Sequence, residues 1–156
     1  MGYLGLAPDF YGGGNWMRCM RGAFAQLEAG RGGFFDAIDA ARRRLAAHDN
    51  CTGRVGVIGF CLGGGFALLA AAQQDFAVAS VNYGEVPEAA ERALAGACPI
   101  VASYGGRDRT MRGRAQRLER ALARAGVTHD VETYPDAGHS FLSTRPTRTR
   151  RDRWRS

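Results

Sequence analysis

The sequence predicts an α/β fold in which a mostly parallel β-sheet carries helices on both faces. The first observation is that short apolar runs alternate with segments of helical periodicity, which is typical of a parallel sheet covered by helices. The second is that several of these runs end in glycine-rich or polar turns, where ligand chemistry collects in open parallel sheets. The third is size, because 156 residues suffice for one domain with a substantial core.

Five short apolar runs are predicted strands. They cover residues 3–7, 55–60, 76–83, 99–104 and 129–134. The second, fourth and fifth of these strands run straight into turns that contain a cysteine, an aspartate and a histidine, respectively. Three reactive side chains beyond three different strands are more than the alternation of strands and helices alone predicts.

Four segments are predicted helices, three of them because apolar residues recur at steps of three and four. These three segments cover residues 17–27, 34–45 and 111–125. Gly30 and Gly126 follow the first and the third, and a glycine at that place commonly ends a helix. Pro87 opens a short fourth helix that continues to about Leu94, since proline fits the first helical turn.

The positive charge of the chain is concentrated at its C-terminal end. The net charge of +6 falls to +1 when the last twelve residues, which hold six arginines and one aspartate, are left out. The body of the chain is therefore not basic, and we expect no nucleic acid as a partner. We expect a folded domain over residues 1–142 and a disordered arginine-rich tail over residues 143–156.

The sequence has no pattern typical of a membrane span, a signal peptide or a metal site. Its apolar stretches are shorter than the roughly 20 residues of a membrane span, and its first residues do not have the pattern of a signal peptide. The four cysteines form no CxxC pair and have no metal-ligand spacing with the three histidines. We therefore expect a cytoplasmic protein that contacts no membrane and binds no metal.

The segment Gly59-Phe60-Cys61-Leu62-Gly63 is the strongest chemical motif. It reads as strand, sharp turn and helix, and it has the G-x-S-x-G spacing of a nucleophile elbow with cysteine in place of serine. Small residues are expected on both sides of Cys61, because the turn crowds the backbone. The start of a helix favours a thiolate, and the Leu62 N–H would point at an oxyanion. In the alternative interpretation, Cys61 only packs and the glycines bring a helix close to the sheet.

Asp108 and His139 complete a candidate catalytic triad with Cys61. The order nucleophile, acid, base along the chain matches that of α/β hydrolases. Each of the two residues follows glycine or a glycine pair beyond a predicted strand. His139 would take the thiol proton while Asp108 fixes the tautomer of the imidazole. Asp136, three residues before His139, is the alternative orienting acid.

Four ordered segments resemble the dienelactone hydrolase family, from about residue 2 to residue 141. They are Gly2-Tyr3 with Ala7-Pro8-Asp9-Phe10-Tyr11, Gly59-Phe60-Cys61-Leu62-Gly63-Gly64, Tyr104-Gly105-Gly106-Arg107-Asp108, and Gly138-His139-Ser140-Phe141. The resemblance implies an α/β-hydrolase fold, a triad of Cys61, Asp108 and His139, and a monomer without a cofactor. It also implies hydrolysis of dienelactone (carboxymethylenebutenolide) or related small-molecule esters. Arginines hold the substrate carboxylate in that family, and Arg18 and Arg21 lie in the corresponding region.

The sequence departs from the family at both ends. Family members have further strands ahead of Gly2, and a loop after one of them supplies a second oxyanion N–H. They also continue into a closing helix after the position of Phe141, where this chain becomes rich in arginine and has a serine at position 143. We therefore expect a partial domain whose N-terminal strands are missing. Because losing one oxyanion donor costs roughly 10²–10³ in rate, the alternative function is an inactive truncated fragment of such a hydrolase.

Overall fold

The structure, a computed structural model, describes residues 2–10 and 16–142, apart from the side chains of Trp16 and Arg18. The helices in these residues are α1 (Trp16–Ala29), α2 (Gly33–Ala46), α3 (Leu62–Gln73), α4 (Ala90–Ala93) and α5 (Arg114–Arg124). The strands are β1 (Gly56–Phe60), β2 (Val78–Asn82), β3 (Ile100–Gly105) and β4 (His129–Tyr134). None of the described helices is long and apolar enough to cross a membrane. The predicted tail over residues 143–156 lies outside the described residues and stays a prediction.

The four strands form one parallel sheet in the order β1-β2-β3-β4. Parallel neighbours need a crossover connection, and α3, α4 and α5 occupy the three crossovers. Right-handed crossovers that progress in one direction across a sheet place their helices on the same face. The parallel sheet and the helices between its strands confirm the predicted α/β fold.

One face of the sheet is buried beneath these helices. Its central strands contribute side chains with almost no exposed surface, which pack against equally buried leucines of α5 and form one hydrophobic cluster. The members from β2, β3 and α5 are Ala79, Val81, Ile100, Ala102, Tyr104, Leu118 and Leu122. Each fully buried large aliphatic side chain contributes about 1.5–3 kcal/mol relative to an exposed one, so this face holds the sheet to its helices.

Helix α3 is buried on nearly all sides, from Gly64 to Ala71. Leu68 belongs to the cluster under α5, whereas Phe66 and Leu69 belong to a second cluster with α1 and α2. This double burial explains why α3 shows no amphipathic period in the sequence and is recognisable there only from the elbow motif that precedes it.

The other face of the sheet is exposed in the described part of the chain. Ile58, Val78 and Val101 on this face are 63%, 42% and 47% exposed, and Asp130 and Glu132 of β4 are exposed beside them. We expected helices on both faces, and within residues 2–10 and 16–142 the helices leave this one open. β1 and β4 are the two edge strands of the described sheet.

The strand predicted over residues 3–7 is wrong, because the structure has no regular secondary structure there. The segment instead lies along the free edge of β1, where Leu4 and Leu6 line a cavity of about 460 Å³ with β1 and α2. Phe10 anchors its end by stacking on Phe34 at a ring-centroid distance of 4.7 Å. Tyr3, Leu4 and Leu6 nevertheless remain exposed, and within the described residues no neighbouring strand supplies the hydrogen bonds that a β-strand requires. The other four predicted strands and the four predicted helices are confirmed within a few residues.

Candidate active site

Cys61 lies at the turn between β1 and α3 in a strained backbone conformation. Its φ is 53° and its ψ is −120°, a region that costs a residue with a side chain about 1–3 kcal/mol. The surroundings fix this conformation, since the Cys61 N–H donates to the Asn82 carbonyl at 3.0 Å and the Gly64 N–H donates to the Cys61 carbonyl at 2.9 Å. The Cys61 side chain is exposed. The chain therefore holds this thiol at the surface, at the carboxyl edge of the sheet.

The two glycines that flank Cys61 are not equivalent. A Cβ on Gly59 would lie 2.0 Å from the carbonyl oxygen of Gly63, which no real contact allows. A Cβ on Gly63 would meet nothing within 4 Å. The prediction that small residues are needed on both sides of the cysteine is confirmed at Gly59 and wrong at Gly63, because only Gly59 lies where the helix presses on the strand.

The His139 imidazole lies between the Asp108 carboxylate and the Cys61 thiol. His139 Nδ1 is 2.5 Å from Asp108 Oδ2, and His139 Nε2 is 3.3 Å from Cys61 Sγ. An ionised carboxylate only accepts hydrogen bonds, so Nδ1 carries the proton and Nε2 faces the thiol with its lone pair. The side chain of Asp108 is 1% exposed and that of His139 33% exposed. The fold thus joins three side chains that lie far apart in the sequence.

Asp108 is held by Thr110 as well as by His139. Its Oδ1 accepts hydrogen bonds from the Thr110 N–H at 3.0 Å and the Thr110 hydroxyl at 2.6 Å. Burial alone would raise the pKa of Asp108, but the hydrogen bonds from Thr110 and His139 outweigh it, so that this pKa lies below its ordinary value. Thr110 was not among the predicted site residues. The spacing Asp-x-Thr, which is typical of a turn closed by an aspartate side chain, is the signal that could have found it.

Asp136, the alternative acid, points elsewhere. It pairs with Arg107 at 2.5 Å, and both side chains are largely exposed. The Arg107 N–H in turn donates to the carbonyl of Ala137 at 2.9 Å, which ties the loop after β3 to the loop that carries His139. This geometry assigns His139 to Asp108 and leaves Asp136 with a surface ion pair.

An aromatic strip lies beside the three residues and consists of Phe60, Tyr83, Phe141 and Tyr134, whose neighbouring rings are 5.2–6.2 Å apart. Tyr83 also meets the His139 ring in a T-shaped contact at 5.1 Å. Sequence reasoning missed Tyr83, although its place directly after β2 at the carboxyl edge of the sheet was an available signal.

The remaining predicted site residues are less well placed. Leu62 is the first residue of α3, and its N–H has no backbone acceptor in the described part of the chain, so this N–H can bind an anion. Arg21 lies exposed on α1, and no hydrogen bond or ion pair joins its side chain to Cys61, Asp108 or His139. The side chain of Arg18 lies outside the described residues. Substrate binding by Arg18 and Arg21 therefore stays a prediction.

Two cavities adjoin the segments that carry these side chains. One, of about 580 Å³, is lined by Asp108, the rest of the loop after β3 and the start of α5. The other is the cavity of about 460 Å³ along β1. Neither is lined by Cys61 or His139. Among the residues that the structure describes, no group of three or more His, Cys, Asp or Glu side chains could hold a metal ion.

Fold and comparisons together place the chain in a class of proteins and then in a family. MGS-M1, described as an alpha/beta hydrolase enzyme from a Medee basin deep-sea metagenome library, matches the structure with a TM-score of 0.59 over 68% of this chain and 50% of its own. At 13% identity this likeness shows the fold alone, which is that of an α/β hydrolase. The model of the dienelactone hydrolase family matches residues 1–154, and the chain belongs to that family.

Two curated relatives agree with this assignment. A carboxymethylenebutenolidase of Rhodococcus opacus is 35% identical over 120 residues, which cover 69% of this chain and 46% of the relative. A carboxymethylenebutenolidase of Pseudomonas putida is 32% identical over 126 residues, which cover 76% of this chain and 49% of the relative. The chain thus spans about half the length of the curated relatives it matches. The resemblance to dienelactone hydrolases that the sequence motifs carry is confirmed.

Proposed function

We propose that this chain is a hydrolase of small carboxylic esters or lactones, with Cys61 as nucleophile, His139 as base and Asp108 as orienting acid. The observation that carries the proposal is the continuous row of thiol, imidazole and carboxylate at the carboxyl edge of the parallel sheet. Membership of the dienelactone hydrolase family supports it and favours carboxymethylenebutenolide-like lactones as substrates. The proposed enzyme acts in the cytoplasm as a monomer and uses no cofactor.

In the first half of the proposed reaction, His139 Nε2 takes the proton of Cys61 Sγ and the thiolate attacks the carbonyl carbon of the ester. The electrons of the C=O bond move to the oxygen, and the free N–H of Leu62 donates a hydrogen bond to the resulting oxyanion. When the carbonyl forms again, the bond to the alcohol oxygen breaks, and this oxygen takes the proton from His139. The acyl group remains on Cys61 as a thioester.

In the second half, His139 removes a proton from a water molecule, which attacks the thioester. Collapse of the second tetrahedral intermediate releases the carboxylic acid and returns the thiol. Asp108 stabilises the imidazolium that forms in both halves, and its lowered pKa keeps it ionised for this purpose. A lactone would leave its acid and its alcohol in one molecule.

A thiol substitution tests the proposal directly. We expect Cys61→Ala to abolish turnover of p-nitrophenyl acetate, and we expect mass spectrometry of the unaltered protein to find an acetyl group on Cys61 during turnover. Cys51→Ala is the matched control, because Cys51 is a partly buried thiol that packs on the cluster of α1 and α2. Turnover that survives Cys61→Ala, or is lost equally in Cys51→Ala, contradicts the proposal.

A second candidate is a non-catalytic domain of the same fold, and the exposed sheet face is the observation that favours it. Ile58, Val78 and Val101 are large apolar residues left in contact with water, and an exposed apolar patch marks an interaction surface or an aggregation-prone face. Circular dichroism with thermal unfolding decides between the candidates. A cooperative transition together with an acetyl adduct supports the hydrolase, whereas a gradual transition without an adduct supports the non-catalytic domain.

A further inference from the structure

Strained backbone marks three positions of the described chain besides the glycines. Cys61, Tyr83 and Ser140 have φ values of 53°, 41° and 59°. Such conformations cost about 1–3 kcal/mol each and persist only where the surroundings enforce them, often at functional sites. Cys61 is the proposed nucleophile and Ser140 follows the proposed base. Tyr83, the third strained residue, has no part in the reaction as described so far.

The backbone of Tyr83 is fixed against the elbow. Its N–H donates to the Ser103 carbonyl at 2.7 Å, which continues the pairing of β2 with β3 by one residue. The carbonyl of the preceding residue, Asn82, accepts the N–H of Cys61 at 3.0 Å. Tyr83 is therefore attached to the same peptide group that holds Cys61 in place.

The ring of Tyr83 is enclosed by the two segments that carry the thiol and the imidazole. Phe60, which precedes Cys61, lies 6.2 Å from it, and Phe141, which follows His139 by two residues, lies 5.7 Å from it. With the T-shaped contact to His139, these rings leave Tyr83 only 4% exposed. Its ring thus has a fixed position between the reactive groups.

The hydroxyl of Tyr83 has no hydrogen-bond partner among the described residues, in contrast to Tyr104, whose hydroxyl donates to the Gly84 carbonyl at 3.0 Å. In this part of the chain the only fully buried side-chain polar atom without a partner is Gln74 Oε1, so the Tyr83 hydroxyl reaches the surface. Burial first, and then the negative charge of the Cys61 thiolate, raise the pKa of Tyr83. The hydroxyl therefore keeps its proton at neutral pH and is free to donate. The Tyr83 ring lies against His139, whose Nε2 faces the Cys61 sulfur.

We propose that the Tyr83 hydroxyl is a second oxyanion donor, beside the Leu62 N–H, for an ester carbonyl attacked by Cys61. When the thiolate adds to the carbonyl carbon, the electron pair of the C=O bond moves to the oxygen, and this oxygen accepts hydrogen bonds from Leu62 and Tyr83. The proton of Tyr83 is not transferred, and the hydrogen bond weakens again as the carbonyl re-forms. This inference rests on the proposed hydrolase function and assigns a catalytic residue within it.

Removal of one hydroxyl tests the inference. Tyr83→Phe keeps the ring against His139, so we expect an unchanged circular dichroism spectrum and an unchanged shape of the pH profile. We expect kcat for p-nitrophenyl acetate to fall about 10²-fold with KM nearly constant, because an oxyanion donor acts in the transition state only. Tyr134→Phe is the matched control, since Tyr134 belongs to the same aromatic strip but is 44% exposed and contacts Phe141, and it should keep its kcat. Wild-type kcat in Tyr83→Phe overturns the inference.

A second measurement does not depend on turnover. An aryl trifluoromethyl ketone adds to a nucleophilic thiol, and ¹⁹F NMR reports the pH at which the hydroxyl of the resulting hemithioketal ionises. We expect an adduct on Cys61 whose ionisation moves to higher pH in Tyr83→Phe and does not move in Tyr134→Phe. Equal ionisation in the unaltered protein and Tyr83→Phe overturns this inference alone. If no adduct forms in the unaltered protein, the proposed function fails and the inference with it.

Discussion

The elbow that carries Cys61 and the loop that carries His139 are held in place by different means. At the elbow, backbone meets backbone, because the Cα of Gly59 faces the Gly63 carbonyl too closely for any side chain. After β4, the imidazole of His139 is placed by side chains, with Asp108 on one ring nitrogen and the Tyr83 ring against its side. We therefore expect a substitution at the elbow either to abolish activity or to leave it unchanged, whereas substitutions around His139 should lower activity by differing amounts.

Close backbone contacts also hold the loop that carries His139, although they are less tight than the contact at the elbow. A Cβ on Gly105 would lie 2.6 Å from the Gly138 carbonyl, and a Cβ on Gly106 would lie 2.8 Å from the Pro135 carbonyl. These contacts fix how closely the loop approaches the end of β3. The orientation of the His139 ring within the loop still depends on the carboxylate that it meets.

The largest effect is expected for Gly59→Ala. The added methyl group would have to displace the first turn of α3, so we expect no measurable esterase activity and a fall of about 3 kcal/mol in the free energy of unfolding. Urea denaturation measures the free energy of unfolding, and turnover of p-nitrophenyl acetate measures the esterase activity. Gly63→Ala is the control, because its Cβ meets nothing and alanine is a better helix former by up to about 1 kcal/mol. Equal stability of the two variants would contradict the described close approach.

The next effect is expected for Asp108→Asn. An amide can donate to His139 Nδ1 and so favour the tautomer with the proton on the wrong nitrogen, and by analogy with serine proteases kcat should fall by about 10³–10⁴. Asp136→Asn breaks an exposed ion pair with Arg107, and we expect less than about 1 kcal/mol in stability and little change in kcat. Steady-state kinetics of both variants compare the two carboxylates. A larger loss in Asp136→Asn would make Asp136 the orienting acid.

The smallest effect is expected for Thr110→Val. Loss of the hydroxyl donor moves the pKa of Asp108 upward, toward its ordinary value of 3.8, and lowers the free energy of unfolding at pH 7 by about 1 kcal/mol. Because the folded-state pKa is depressed, this stabilisation is fully present above the unfolded-state value near 4 and is lost as the pH falls through the folded-state pKa. Denaturation curves of the variant and the unaltered protein should therefore differ at pH 7 and converge in strong acid. A difference that grows in acid would contradict the assignment.

Local patterns in the sequence predicted most of the fold and the three side chains that meet at the candidate site. Four strands, the periodic helices and the elbow depend on side-chain alternation, helical period and motif order, which are properties of short segments. The error over residues 3–7 and the missed contacts of Tyr83 and Thr110 have another origin. Whether a strand has a partner, and which side chains meet beyond the ends of β2 and β3, depends on contacts between distant segments. Gly63 shows the same limit, since the motif contains two glycines and only the packing of α3 on β1 distinguishes them.

The burial of α3 in both hydrophobic clusters has a consequence for motion at the elbow. A helix that packs on one side only can detach by exposing the side chains of that side alone. In contrast, α3 cannot detach without exposing both Leu68 and Phe66 to water. We therefore expect detachment of α3 to cost a large share of the free energy of unfolding of the described residues. The position of Cys61 at the start of α3 should thus persist for as long as these residues stay folded.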